Sequence, residues 1–388
     1  MTTIFFICLF IIFYAFIGYG MLLFVLVKLK RLFKGKPTKP NTSNLPTCTL
    51  IVAAYNEEDF IEEKIKNTLA LNYPANKLKV IFVTDGSTDK TPDIIATFPQ
   101  IQLMHQALRM GKMAAVHRAV ATVDTEVIVF TDANTFLNTD ALTNICRHYS
   151  NEKVGAVAGE KRVHVMETAN ATAGEGFYWK YESKLKTWDS ELHSVVGAAG
   201  ELFSVRAALY QYISTNAIID DFMISMLIAK DGYKIVYEPE AYATETTSLN
   251  VKEELKRKIR IAAGGIQSVI WLRSLLLPFK TPLLSFQYIS HRVLRWTIVP
   301  ILMMVSLFMN MFIVTKGSVS KIFLILLLSQ IMFYLMAFVG WIMESKRIKL
   351  KLFFIPYYFS MMNYAVLRGI FRFAVGNQTG IWEKAKRA

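Results

Sequence analysis

Residues 127–135 read VIVFTDANT: four apolar residues and a threonine run straight into Asp132-Ala133-Asn134. An apolar run this short and continuous suits a strand buried on both faces of a parallel sheet. Ligands of open α/β sheets gather at the carboxyl ends of the strands, so Asp132 and Asn134 stand where a ligand would sit. Two oxygen-bearing side chains one residue apart on an extended segment point the same way and can share a cation or a pair of hydroxyls. An Asx turn that merely closes the strand is the alternative reading.

Working outward, further strands are expected at residues 49–53, 79–83 and 154–158, with a helix after each of the first three strands. That alternation indicates a parallel sheet with helices on both faces. The first strand runs into Tyr55-Asn56-Glu57-Glu58 and the second into Asp85-Gly86-Ser87-Thr88-Asp89. One polar strand end is ordinary loop chemistry; three at the same sheet edge describe a site. No GxGxxG follows the first strand and no GxxxxGK[ST] occurs in the chain, which argues against dinucleotide oxidoreductases and P-loop NTPases.

Much of the remaining sequence has membrane character. Hydrophobic residues make up 53% of the 388 residues, mean hydropathy is +0.32, and the excess lies at the two ends. Residues 4–27 are nearly unbroken apolar sequence, long enough at about 1.5 Å per residue to cross a bilayer about 30 Å thick. A cleaved signal peptide would want a charged start and a shorter core, whereas this segment starts with uncharged MTT and its cations follow the span. That bias favours a signal anchor with its amino terminus outside and the polar middle in the cytoplasm. The net charge of +14 belongs to the same pattern, since the cations cluster beside apolar segments; nucleic acid is not an expected partner. Cys8, Cys48 and Cys146 give neither a disulfide framework nor a metal-ligand spacing, and the six histidines show no ligand spacing either.

The expected organisation is a transmembrane anchor over 1–27, a basic linker over 28–46, an α/β domain over 47–250 and amphipathic interfacial helices over 251–292. A membrane region over 293–376 and a basic tail over 377–388 follow. Residues 293–314 and 322–343 are each long enough to span. Residues 352–375 are interrupted by Pro356, Asn363, Arg368 and Arg372, and a broken or re-entrant segment would keep the tail on the cytoplasmic side.

The ordered motifs resemble those of membrane-integrated family 2 glycosyltransferases, the family of the cellulose, hyaluronan and poly-N-acetylglucosamine synthases. The likeness is carried by VAAYNEE (52–58), VTDGSTD (83–89), RMGK (109–112), TDANT (131–135) and GAAGELFSVR (197–206). Ile219-Asp220-Asp221, Arg257-Lys-Ile-Arg260, SHRVLRW (290–296) and Trp382-Glu-Lys complete the set. The resemblance implies a GT-A (Rossmann-like) domain with transmembrane and interfacial helices at both ends. It implies inverting transfer from a nucleotide sugar, expected to be a UDP sugar, to a glycan or lipid-linked acceptor, with Mg²⁺ or Mn²⁺ as cofactor. A multi-pass protein of a bacterial inner membrane with a cytoplasmic catalytic domain is the expected setting, the lipid bilayer and other membrane assembly proteins being its candidate partners.

By the same resemblance Asp85 faces the nucleoside base, and Tyr55, Asn56 and Glu57 help hold the nucleoside. Asp132 contacts ribose or metal, with Asn134 as second metal ligand. Asn134 departs from the family's Asp-x-Asp pattern: a carboxamide offers oxygen without charge and should hold a metal more weakly. Lys112 and Arg260 are candidates for neutralising the departing diphosphate, set against a solvated helix start and a membrane-surface cation. Asp221 is the candidate general base, beside like-charged Asp220 and apolar Phe222, both of which raise a carboxyl pKa. The alternative is that both aspartates simply favour the positive end of a helix. Gly200 and Asp220 fall at the acceptor site, although a tight turn accounts equally for Gly197 and Gly200. Asp89 reads as a loop cap or as part of the site. The family's Gln-x-x-Arg-Trp motif aligns with residues 257–261 without its Gln and Trp, which puts processive behaviour in doubt. The rival readings are a polyprenyl-phosphate sugar synthase and a catalytically inactive membrane scaffold on the same fold.

Overall fold

The computed structural model describes residues 1–164, 172–246, 251–316, 320–346 and 350–376. The Trp382-Glu-Lys motif and the basic tail lie outside the described residues. The chain opens with one helical rod: α1 (Thr2–Phe13), a π-helical turn at Tyr14–Gly18 and α2 (Tyr19–Lys34). Residues 28–34, expected as linker, therefore continue the helix, which Gly35 ends with φ 71°.

The polar domain begins with β1 (Cys48–Ala54), α3 (Ile61–Leu69), β2 (Leu78–Asp85), α4 (Thr91–Ala96), β3 (Gln102–Gln106) and α5 (Lys112–Val120). It continues with β4 (Val127–Asp132), β5 (Thr135–Leu137), α6 (Ala141–Cys146), β6 (Val154–His164), α7 (Thr172–Leu192), β7 (Phe203–Arg206), α8 (Asp220–Lys230) and β8 (Lys234–Thr246). One eight-stranded sheet results, in the order β3-β2-β1-β4-β7-β6-β8-β5. β3, β2, β1 and β4 are parallel, as expected. The other half is mixed: β7 runs antiparallel between β4 and β6, β8 is parallel to β6, and β5 is antiparallel to β8. The wholly parallel expectation is thus corrected to a mixed sheet.

Both faces are covered. Leu50 and Val52 of β1 join Ile61, Ile65 and Phe82 on one side, while Ile51 joins Val83, Met113, Val116 and Phe130 on the other. Period-two alternation in β1 thereby serves two cores, each large aliphatic side chain contributing roughly 1.5–3 kcal/mol of burial. The strand order reverses between β1 and β4, and that reversal opens a crevice at their carboxyl ends.

The carboxyl-terminal part comprises α9 (Val251–Trp271), a 3₁₀ turn at Arg273–Leu276, α10 (Pro282–Tyr288), a π-helical turn at Ile289–Val293 and α11 (Leu294–Trp296). After these come α12 (Ile298–Thr315), α13 (Lys321–Ser345) and α14 (Lys351–Ala374). Among the described residues, three helices are long and apolar enough to cross a membrane: Thr2–Lys34, Ile298–Thr315 and Lys321–Glu344. The expected break after residue 352 does not occur. α14 is continuous, because Pro356 lies early in it and forfeits one backbone hydrogen bond there. Close packing supports α14 on both sides. A Cβ on Gly340 of α13 would come 2.4 Å from the Phe353 carbonyl oxygen, and one on Gly369 would come 2.6 Å from Ala262 of α9.

A buried polar network fastens the first helix to the domain and to the approach to α12. Tyr19 Oη donates to Asp189, whose other oxygen lies 2.5 Å from His291 Nδ1, and Gln287 Nε2 donates to Asp189 at 2.9 Å. His291 Nε2 lies 3.0 Å from Glu182, which also pairs with Arg292 at 2.9 Å and Arg295 at 3.3 Å. Burial works against the Glu182 charge, yet His291 and the two guanidiniums hold its pKa well below the usual carboxylate range. At the π turn, Arg295 Nε donates to the Ala15 carbonyl at 2.9 Å and Tyr181 Oη to the Phe16 carbonyl at 2.8 Å. At the carboxyl-terminal end of the rod, Arg31 grips both carboxylate oxygens of Glu191 at 2.6 Å. Replacing Asp189 by alanine leaves His291, Tyr19 and Gln287 without their shared acceptor. The expected loss is about 3–5 kcal/mol, read as a lowered unfolding midpoint of the detergent-solubilised protein.

Candidate active site

The loops after β1 and β2 are braced against each other. Asn56 sits at φ 52°, a conformation Asn tolerates in tight turns, and its Oδ1 accepts the Thr88 N–H at 2.8 Å. The Glu57 N–H donates to Thr91 Oγ1 at 2.8 Å. Asp89 accepts the N–H groups of Glu58 and Thr91 at 3.1 and 3.0 Å, so its side chain ties loops together. The Asn56 carboxamide is likewise turned to the neighbouring loop, and Glu57 is buried beneath it. Tyr55 is different: the Arg109 guanidinium lies 3.6 Å over its ring, forming a flat platform at the end of β1.

Asp85 closes β2 in a specific way. Its Oδ2 accepts the N–H groups of Met110 and Gly111 at 2.9 and 2.6 Å, while its buried Oδ1 has no hydrogen-bond partner. Gly86, at φ 70°, makes this possible, since a Cβ there would fall 2.5 Å from the Arg109 Cβ.

At the reversal point of the sheet, charges meet. Lys112, first residue of α5, places Nζ 2.8 Å from Asp132 Oδ1 and 3.7 Å from Asp220 Oδ2. Its side chain is only 16% exposed, which excludes the solvated helix start. Burial alone would lower the Lys112 pKa, but Asp132 and Asp220 together raise it. Lys112, Thr131, Asp132, Gly200 and Asp220 line a single cavity with an apolar floor that includes Phe130 and Phe203. Gly200 lies against Asp221: a Cβ there would sit in ordinary contact, 3.4 Å from Asp221 Oδ2. Burial first, then the neighbouring Asp220 carboxylate, push the Asp221 pKa up to about 7 against the pull of Lys112.

Arg260 reaches this field from α9. Burial and the adjacent Arg257 lower its pKa, while Asp220 and Asp132 raise it, and Arg372 of α14 adds a third guanidinium nearby. Arg257 points elsewhere, toward Glu201 at 3.3 Å and Glu245 at 3.7 Å, where Lys161 also binds both carboxylates. Asn134 lies in the β4–β5 turn, half-buried. Beneath that turn is Lys64, a residue the sequence reading passed over. It is fully buried and donates to the Thr135 carbonyl at 2.6 Å and to Thr131 Oγ1 at 3.2 Å; burial lowers its pKa to about 7. The signal was present: Ile61, Lys64, Ile65 and Thr68 form one helical stripe, and Lys64 falls on its buried side.

The structure thus gathers Lys112, Asp132, Gly200, Asp220 and Asp221, brings Arg260 into their field, and sets Tyr55 and Asp85 along the same edge. Asp132 and Asn134 offer hard oxygen donors suited to Mg²⁺ or Mn²⁺. Among the described residues, no group of three or more His, Cys, Asp or Glu could hold a metal ion unaided.

Residues 49–213 match the family model "Glycosyl transferase family 2". Over 208 residues the chain is 31% identical to the beta-monoglucosyldiacylglycerol synthase of Nostoc sp., covering 50% of this chain and 43% of that protein. Over 236 residues it is 26% identical to the poly-beta-1,6-N-acetyl-D-glucosamine synthase of Staphylococcus aureus, covering 58% and 56%. The chain therefore spans about half the length of the curated relatives it matches. A solved structure of similar fold is the mannosyltransferase PcManGT from Pyrobaculum calidifontis in complex with GDP-Man and Mn²⁺. The TM-score is 0.70 at 23% identity, covering 96% of this chain and 99% of the other. Taken with the strand order and the chemistry at its reversal point, these matches make residues 49–213 a family 2 glycosyltransferase domain on a GT-A fold.

Proposed function

We propose that this chain is an inverting glycosyltransferase that moves a sugar from a UDP sugar to a glycan or lipid-linked acceptor at the cytoplasmic face of a membrane. The named relatives make a polysaccharide and a glycolipid, and the same outlets are proposed for this chain. The observation that carries the reading is the cavity where Lys112 bridges Asp132 and Asp220, with Asp221 beside it. A leaving diphosphate needs cations, an attacking hydroxyl needs a base, and both kinds of group stand at one rim.

Asp85 supports the uridine reading of the donor. With Oδ2 held by two backbone N–H groups and Oδ1 buried without a partner, it offers one acceptor to a base with one ring N–H, which suits uracil. Guanine, with two adjacent donors, would call on both oxygens. Tyr55, stacked by Arg109, supplies a surface for the base.

In the transfer step the acceptor hydroxyl oxygen attacks the anomeric carbon from the face opposite the diphosphate, the carbon–diphosphate bond breaks, and Asp221 takes the hydroxyl proton. Lys112 and Arg260 offset the charge on the departing diphosphate. Asp132, with the Asn134 carboxamide beside it, would hold a Mg²⁺ or Mn²⁺ ion, whose charge would add to that offset. Asp220 and Gly200 shape the acceptor side. The cations after the first apolar helix support placing the domain on the cytoplasmic side.

Three outcomes are expected. Asp221→Asn lowers sugar transfer by about 10²–10⁴-fold while UDP affinity stays near wild type; retained turnover would remove Asp221 as the base. Because the base works only when deprotonated, kcat/KM rises with pH and levels off above about 7, as followed in a pH series with purified protein. With so few protein ligands, Mn²⁺ binds weakly alone and tightly once UDP supplies diphosphate oxygens, which calorimetry with and without UDP measures. A chain that consumes no nucleotide sugar with either metal present would instead be the inactive scaffold.

A further inference from the structure

We infer that Trp296, at the mouth of the second apolar span, is a positioning residue that clamps Phe222 and thereby holds the Asp221 carboxyl against the Gly197–Gly200 loop. This rests on the reading of Asp221 as the base. The geometry is a four-layer stack. Gly197, at φ 80°, forms the first layer, where a Cβ would fall 2.1 Å from the Phe222 ring. Phe222 is the second, and the Trp296 indole meets it edge-on at 5.1 Å between centroids and 61° between planes. Gly265 of α9 is the last, where a Cβ would fall 2.8 Å from the indole. Backbone without side chains at each end leaves the two rings one place to lie.

The stack is tied to the loop and to the membrane helices. Ser225 Oγ accepts the Ala198 N–H at 2.9 Å and donates to the Asp221 carbonyl at 2.8 Å, so loop and base move together. Arg292 lies 5.7 Å from the indole, donates to the Val196 carbonyl at 3.4 Å, and is anchored on Glu182 at 2.9 Å. Burial acts most strongly on the Asp221 carboxyl, and Asp220, Lys112 and Glu201 are the charged groups acting on it; the inferred part of the two rings is to maintain that burial. Opening the stack would hydrate the carboxyl and return it toward the ordinary carboxylate range.

The test uses the full chain in nanodiscs, with Trp296→Ala, Trp296→Phe and Gly265→Ala. Carboxyl infrared difference spectra against Asp221→Asn read the Asp221 titration without any turnover, and kcat and UDP affinity are measured beside it. Trp296→Ala should lower the Asp221 midpoint by about one pH unit or more and kcat by about tenfold, with UDP affinity unchanged. Trp296→Phe should recover most of both, and Gly265→Ala, which displaces the indole while keeping it, should move both in the same direction as Trp296→Ala. A Trp296→Ala midpoint equal to wild type, or a phenylalanine no better than alanine, overturns the inference. If wild type transfers no sugar, the proposed function fails, and the infrared midpoints still decide the role of Trp296.

Discussion

A buried ammonium between two carboxylates organises this site. Lys112 joins the start of α5 to the end of β4 and the start of α8, three segments brought together only by the reversed strand order. Removing charges from water costs several kcal/mol per ion, and such a cluster persists only where opposite charges meet at short range. The arrangement also leaves an excess of carboxylate over ammonium. Asp220 and Asp221 are adjacent at the helix start, and the second of them takes the strain as a raised pKa. The proposed transfer asks a site to receive a diphosphate and a proton, and this one contains a cation shared between two carboxylates and a carboxyl with a raised pKa.

Two cationic layers surround that core. Lys64 lies under the Asp132-Ala133-Asn134 turn and Arg260 approaches from α9, while Arg257 and Lys161 are occupied by Glu201 and Glu245. The division of labour is physical. Guanidinium and ammonium groups shared between two carboxylates hold α9 to the sheet, and Arg260 lies within the field of Asp220 and Asp132.

What was legible in the sequence was local. β1, β2, β4 and the start of β6 declare themselves as apolar runs, and their polar ends mark the edge where the cavity lies. β3 does not, because it is an edge strand whose Gln102 and His105 face solvent. β8 is hidden by Glu238-Pro239-Glu240, which sit at a shift in its register with β6. The acidic pair at 220–221 could be placed by its order among the motifs. Lys112 could not be decided, since a lysine opening a helix reads the same whether it meets water or Asp132. Asn56 was expected near a nucleoside, and only the fold shows its carboxamide turned to Thr88. The contact of Trp296 with Phe222 joins segments 74 positions apart, and no spacing rule reaches that far.

The π-helical turn at Tyr14–Gly18 carries a consequence for the anchor as a whole. A π turn releases backbone carbonyls from their usual helical partners, and here Ala15 and Phe16 present theirs to Arg295 and Tyr181. The first helix is thus keyed to the domain by main-chain atoms as well as by greasy surface. Its exposed apolar residues tolerate exchange for other apolar ones, whereas its phase does not: one inserted or deleted residue before the bulge would rotate the amino-terminal half by about 100° relative to everything docked after it.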